Sequence, residues 1–163
     1  MENKLKTALL AIKTGVPVEE ASRSVGWKDF EGLVAEILES KNFEVVRNFR
    51  MKKPTMEVDV VGIHLGTAVL IDCKHWKRMS NSELKTIVLR QIDRVKHYVA
   101  ITNEVVAAPV IVTLYQEETK FVNRVPIVPI IQFSSFIDEF YGNLEEIRTI
   151  KKLTLRKFLC TKS

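Results

Sequence analysis

Met56-Glu57-Val58-Asp59-Val60-Val61-Gly62-Ile63 and, after a short turn at 63–66, Ala68-Val69-Leu70-Ile71-Asp72-Cys73-Lys74 form the stretch on which the fold turns. Glu57 and Asp59 alternate with Val58 and Val60, so in a strand both carboxylates point to one face. The second run is apolar until it ends in Asp72 and Lys74. These two are also separated by two positions and share a face, roughly 7 Å apart along the strand. A hairpin between the runs brings Asp59 near Asp72 and leaves Glu57 as a rival for the strand carboxylate.

Two carboxylates then converge beside an ammonium. Like charges this close repel and raise a pKa unless a cation sits between them, so the arrangement makes physical sense around a divalent metal. Mg²⁺ suits hard oxygen ligands in few-carboxylate sites completed by water and phosphate, and Mn²⁺ can substitute for it. Lys74 orients or activates the attacking water and neutralises charge on a scissile phosphate, while the metal acts as Lewis acid. That chemistry is phosphodiester hydrolysis.

Upstream, Phe30, Leu33, Val34, Ile37 and Leu38 follow helical spacing from a start near Lys28. Glu31, at the inward edge of this helix, offers a further carboxylate to a metal-bound water or to a second ion roughly 4 Å away. An acid in a first helical turn is also favoured simply by the macrodipole. Phe43–Arg47 reads as a strand before the hairpin. Ser80–Thr102 carries a helical pattern with Ser80 or Ser82 as cap, and Ala108–Leu114 and Val125–Ile131 are apolar runs of strands covered on both faces. Ser134–Tyr141 and Asn143–Ile150 read as helices.

The chain has 163 residues, a formal net charge of +5 and 46% hydrophobic residues, as expected of one globular domain. A pI near 9.2 favours a polyanionic partner. Basic residues gather at 47–53, 74–78 and 148–157, and the first two groups flank the acids. Cys73 and Cys160 make no CxxC or Cys/His pattern, which argues against zinc. His64 and His97 have no partner visible in the sequence. The N-terminal apolar stretch is too short to span a bilayer, and no signal-peptide cleavage site follows it, so a cytoplasmic protein without membrane association is expected.

Asp59, twelve intervening residues and Asp72-Cys73-Lys74 resemble the signature of the PD-(D/E)-x-K superfamily. Together with Phe30-Glu31-Gly32-Leu33-Val34-Ala35-Glu36-Ile37-Leu38, Asn42-Phe43-Glu44-Val45 and the following His75-Trp76, the pattern is similar to Mrr-type restriction endonucleases. Archaeal Holliday junction resolvases share the order of helix Glu, strand Asp and acid-x-Lys. The resemblance spans about residues 28–115. Val58 stands where the signature nominally has Pro, and the approach to Asp59 lacks the Gly-rich segment common there.

The resemblance implies an α/β fold with a restriction-endonuclease-like core, a central mixed β-sheet of about five strands flanked by helices. It implies metal ligands Asp59, Asp72 and Glu31, with the Cys73 backbone carbonyl, and Lys74 as the water-positioning group. The activity implied is a metal-dependent DNA endonuclease of structure-specific, restriction or repair type, leaving 5′-phosphate and 3′-hydroxyl ends. A homodimer would address two strands, and work inside a larger DNA-processing complex is a second arrangement. The substrate is DNA in duplex, branched or single-stranded form, with RNA also compatible. Arg50, Lys52, Lys53, His75, Trp76, Lys77, Arg78 and Gln91 are the expected nucleic-acid contacts. The alternative is an inactive protein of the same fold that binds nucleic acid or scaffolds a complex.

The expected organisation is a helical cap over 1–27, which could also be a helix-turn-helix, a nuclease core over 28–142, and a C-terminal helix with basic tail over 143–163, all in one compact unit.

Overall fold

A computed structural model describes residues 4–17, 20, 21, 23, 25–74, 79–104, 106–114 and 118–152. The sheet is built from β1 (Glu44–Met51), β2 (Met56–His64), β3 (Thr67–Lys74), β4 (Val106–Thr113), β5 (Lys120–Val122), β6 (Val125–Pro129) and β7 (Ile150–Lys151). Its order is β1-β2-β3-β4-β6-β5, with β7 paired to β4. The pairs β1/β2, β2/β3, β5/β6 and β4/β7 are antiparallel, while β3/β4 and β4/β6 are parallel. The sheet is therefore mixed, with seven strands among the described residues instead of about five.

Helices cover both faces, which is why β3 and β4 read as continuous apolar runs. On one face lie α1 (Lys4–Lys13), α2 (Trp27–Ser40) and α4 (Ile130–Glu139). Phe30, Val34 and Leu38 of α2 and Phe133 and Ile137 of α4 share a core with Val60, Ile71, Val110 and Val112. Gly62 lets α2 approach closely, because a Cβ there would stand 3.0 Å from Leu38 Cδ1. On the other face lies α3 (Asn81–Ile101), the crossover between parallel β3 and β4. Ser80 opens it with a capping box to Glu83, and Val95, Tyr98 and Val99 pack on Leu70 and Val61.

The strands of the first hairpin change faces partway along. Val45 and Arg47 of β1 lie toward α2, yet Phe49 and Met51, two and four residues on, join the core under α3, where the Phe49 ring stands edge-on to Tyr98 at 5.4 Å. In β2, Val60 and Gly62 face α2 while Val58 and Met56 face α3. The register runs Arg47↔Val60 and then Phe49↔Val58, passing over Asn48 and Asp59. Asn48 has φ 53°, a left-handed conformation that Asn tolerates better than most residues. One extra residue in each strand thus reverses the side-chain alternation and keeps the register.

Two expectations need correction, and one element was not foreseen. The apolar run from Val125 stops being a strand at Pro129, the N-cap of α4, which starts at Ile130 and not at Ser134. A β5–β6 hairpin was not expected. Its turn, Asn123-Arg124, takes φ of 50° and 64°, and Arg is not a residue that announces such a turn. The helix expected over 143–150 is absent among the described residues. A 3₁₀ turn at Tyr141–Asn143 is followed by turns and β7, because the Arg124 guanidinium donates to the carbonyls of Glu145 and Glu146, and the Arg148 amide donates to the Arg124 carbonyl at 2.9 Å. The second N-terminal helix and the tail beyond 152 lie partly or wholly outside the described residues, so the helix-turn-helix reading does too. No helix among the described residues is long and apolar enough to cross a membrane.

Candidate active site

The β2/β3 ladder runs from His64↔Thr67 to Val60↔Ile71. One residue further, Asp59 takes over the ladder's role with its side chain, Oδ2 accepting from the Cys73 amide at 2.8 Å. In an extended residue N–H and C=O point to the same strand edge, so the Cys73 carbonyl also faces this gap. Across it stands Asp72, only 5% exposed. Its Oδ2 lies 3.2 Å from Lys74 Nζ and 3.7 Å from Arg94 Nη1. These side chains line a cavity of about 360 Å³ with Thr55, Met56, Glu57, Arg90 and Asp93.

The acids bear on one another. Burial above all, then the charge of Asp72 and a side-chain contact with it, and the charge of Glu31, push the Asp59 carboxyl up to about 7 against the lowering effect of the Cys73 amide. A second strand carboxylate, Glu57, lines the same cavity but is half-exposed and held by Arg50, Nε to Oε2 at 2.9 Å. Between the two rivals, Asp59 is the one turned to Asp72. Burial and the surrounding acids push the Cys73 thiol well above its ordinary value, so it stays neutral within the core.

Glu31 does not join this cavity. It is 1% exposed on α2 and lines a separate cleft with Lys28, Arg47 and Asn48. Its Oε2 lies 3.7 Å from Arg47 Nη2, which also donates to the Lys28 carbonyl at 3.1 Å. Asn48 of this cleft and Asp59 of the cavity are the two residues that the β1/β2 register passes over.

Of the expected nucleic-acid contacts, Lys52 and Lys53 are exposed in the β1–β2 turn beside the cavity mouth, and Arg50 is exposed but paired with Glu57. His75, Trp76, Lys77 and Arg78 lie outside the described residues. Gln91 is not a surface contact. It is fully buried, donating to the Leu70 carbonyl at 2.8 Å and accepting from Arg94 Nη1 at 3.1 Å. A carbonyl under a helix needs a donor, and an amide side chain can serve it while still accepting from an arginine. Arg90, Asp93 and Arg94 were missed in the sequence, although their spacing of three and four on the helix after the D-x-K strand puts them on one face.

Among the described residues no group of three His, Cys, Asp or Glu side chains is arranged to hold a metal by itself. Two carboxylates and a backbone carbonyl around one gap do fit a divalent ion such as Mg²⁺, whose sites keep few protein ligands and several waters. Burial first, and then the neighbouring Asp72, raise the Asp59 carboxyl, so a cation held between the two acids would favour its charged form.

Over residues 22–117 the chain matches the Mrr_cat family model, described as restriction endonuclease. The chain belongs to this restriction endonuclease family. The Mrr_cat match takes in Glu31, Asp59, Asp72, Lys74 and Arg94, and leaves α1 and everything from β5 onward outside. An uncharacterized protein of Archaeoglobus fulgidus is 28% identical over 124 residues, 74% of this chain and 95% of that one. The crystal structure of a protein of unknown function, AF1548, is similar at a TM-score of 0.41 and 23% identity over 53% of this chain. That match covers 47% of the solved chain, so the present chain spans about half of it. The small subunit of the heterodimeric restriction endonuclease R.BspD6I is similar at a TM-score of 0.48 and 14% identity, over 98% of this chain and 85% of that one.

Proposed function

We propose that this Mrr_cat chain is a Mg²⁺-dependent endonuclease that hydrolyses DNA phosphodiester bonds in the cytoplasm, working as a homodimer so that two sites address two strands. The observation that carries the reading is the meeting of Asp59 and Asp72 where the β2/β3 ladder ends, with Lys74 against the same Asp72 oxygen and an open cavity beside them. Family membership supports a nuclease.

Asp59, Asp72 and the Cys73 carbonyl are the oxygen donors for the ion. Bound there, it would supply Lewis-acid polarisation of a phosphate oxygen and a more acidic water. Lys74 is the group that holds the attacking water and offsets charge on the phosphate, because its ammonium already shares the acids' cavity. Glu31 acts from the neighbouring cleft, where its charge bears on Asp59. Arg50, Lys52 and Lys53 flank the path of a polyanion toward the cavity.

The test is a labelled panel of linear duplex, single strand, flap and four-way junction with Mg²⁺, Mn²⁺ or EDTA, run beside Asp72→Ala and Lys74→Ala. Metal-dependent cleavage that vanishes in both variants is the expected result. Binding without cleavage by wild type under every metal would replace the enzyme with a nucleic-acid-binding protein of the same fold.

A further inference from the structure

Arg94 stands out among the cavity residues because it has two partners of opposite consequence. Gln91 anchors it from below. That amide is fully buried and pinned to the Leu70 carbonyl, and its oxygen accepts from Arg94 Nη1 at 3.1 Å. Asp72 faces it across the cavity at 3.7 Å, a distance of charge attraction without a formed hydrogen bond. Both contacts run through the same nitrogen, whereas a guanidinium carries five N–H donors in a planar fork. Arg90, one helical turn earlier and exposed, lines the same cavity, with Asp93 between them.

We infer that Arg94 is a ligand for a backbone phosphate of the nucleic-acid substrate, held in reserve by Asp72 and aimed by Gln91, with Arg90 as its outer partner. The inference rests on the nuclease reading of the cavity. Among the cavity's side chains Asp59, Asp72 and Asp93 stand against Lys74, Arg90 and Arg94, while Glu57 is held by Arg50. At the buried end of such a site a polyanion binds by taking over a base from an acid. Lys74 has the closer contact to Asp72, so Arg94 is the base most readily exchanged. The planar fork also matches two phosphate oxygens, which an ammonium does not.

The test measures binding without turnover. Fluorescence anisotropy of a fluorescein-labelled mixed-sequence duplex, titrated in EDTA across a salt series, is compared for wild type, Arg94→Gln, Arg94→Lys, Asp72→Asn and the double variant Asp72→Asn/Arg94→Gln. The control is Lys41→Gln, which removes a charge paired with Asp138 outside the cavity and is expected to bind like wild type. Arg94→Gln is expected to weaken binding about tenfold and lower the log–log salt slope by about 1, with Arg94→Lys intermediate. Asp72→Asn is expected to tighten binding, and to do so several-fold less when Arg94 is already Gln, because there is then no guanidinium to release.

An unchanged salt slope in Arg94→Gln, an equal gain from Asp72→Asn in both backgrounds, or no salt-dependent binding by wild type would each overturn the inference. Thermal melting of each variant identifies loss of binding that comes from unfolding, and Arg94→Lys, which keeps the charge, carries the test if Arg94→Gln does not fold. Cleavage is scored separately. Wild type that binds through Arg94 but never cuts would refute the nuclease reading alone, and wild type that cuts while Arg94→Gln binds normally would refute this inference alone.

Discussion

Asp72 and Glu31 are both buried acids facing an arginine, and their surroundings differ in a way that separates chemistry from architecture. Asp72 lies beside a second carboxylate and opposite Lys74 and Arg94, in an open cavity where no single pairing satisfies every charge. Glu31 lies in its own cleft against Arg47, and that arginine also ties the carbonyl of Lys28, so the pair fastens α2 to β1. A buried charge whose arginine also ties the backbone of a neighbouring element helps hold the two elements together, and removing that arginine costs stability. A buried charge shared among several partners can be exchanged, which is what binding and catalysis require.

The contrast can be broken most sharply through activity. Asp72→Ala and Lys74→Ala are expected to lower the cleavage rate by roughly a hundredfold to a thousandfold or more, with little loss of melting temperature. A comparable loss of stability would place Asp72 with Glu31 as an architectural acid. Next in size is Arg47→Ala, which leaves Glu31 buried without that arginine. It is expected to cost more by urea denaturation than Arg94→Gln, which still leaves Lys74 beside Asp72. Equal costs would erase the distinction between the clefts.

Asp59→Asn sharpens it further by separating stability from function. The Asp59 carboxyl is raised from 3.8 to about 7, so between those values the folded protein holds a proton that the unfolded chain has lost. This contribution is fully present below about pH 4, falls as pH rises, and is gone once pH has passed through 7. Its slope is at most about 1.4 kcal/mol per pH unit. In EDTA, Asp59→Asn is expected to flatten that part of the stability profile and to melt higher than wild type at pH 8, while losing cleavage. Melting curves at pH 5, 6, 7 and 8 check it, and an unchanged profile would mean that folding does not raise the Asp59 carboxyl. The smallest effect is at Asn48. Asn48→Gly should be close to neutral, and Asn48→Ala should cost about 1 kcal/mol, because φ 53° suits Gly and Asn better than Ala.

Much of the site was legible because strand periodicity is a short-range property. Asp72 and Lys74 fall where alternation puts them, and the short turn brings Asp59 beside Asp72 even though alternation breaks at Asp59 itself; the Ser80 capping box opened α3 as read. Glu31 was legible as an acid at the inward edge of its helix, but neither its full burial nor its separate cleft was, since its partner Arg47 lies 16 positions away in another element. Arg94 escaped because polar residues at helical spacing read equally well as a solvated face. The β5–β6 hairpin and the missing C-terminal helix share one cause, the long-range grip of Arg124 on the 145–148 backbone. No local pattern in residues 143–150 records that grip.

The change of faces in the first hairpin has a consequence for chain length. With Asn48 and Asp59 both deleted, Arg47 would be followed by Phe49 and Val58 by Val60, and every remaining side chain would already point to its proper layer in an unbroken ladder. Asp59 is therefore supernumerary to the sheet, a residue added to a hairpin that needs two fewer. Deleting either one alone would shift the pairing on one side and turn Phe49 and Met51, or Val58 and Met56, against their partners. The length of this hairpin is held from both strands at once, and the acid is kept by the same constraint that keeps the register.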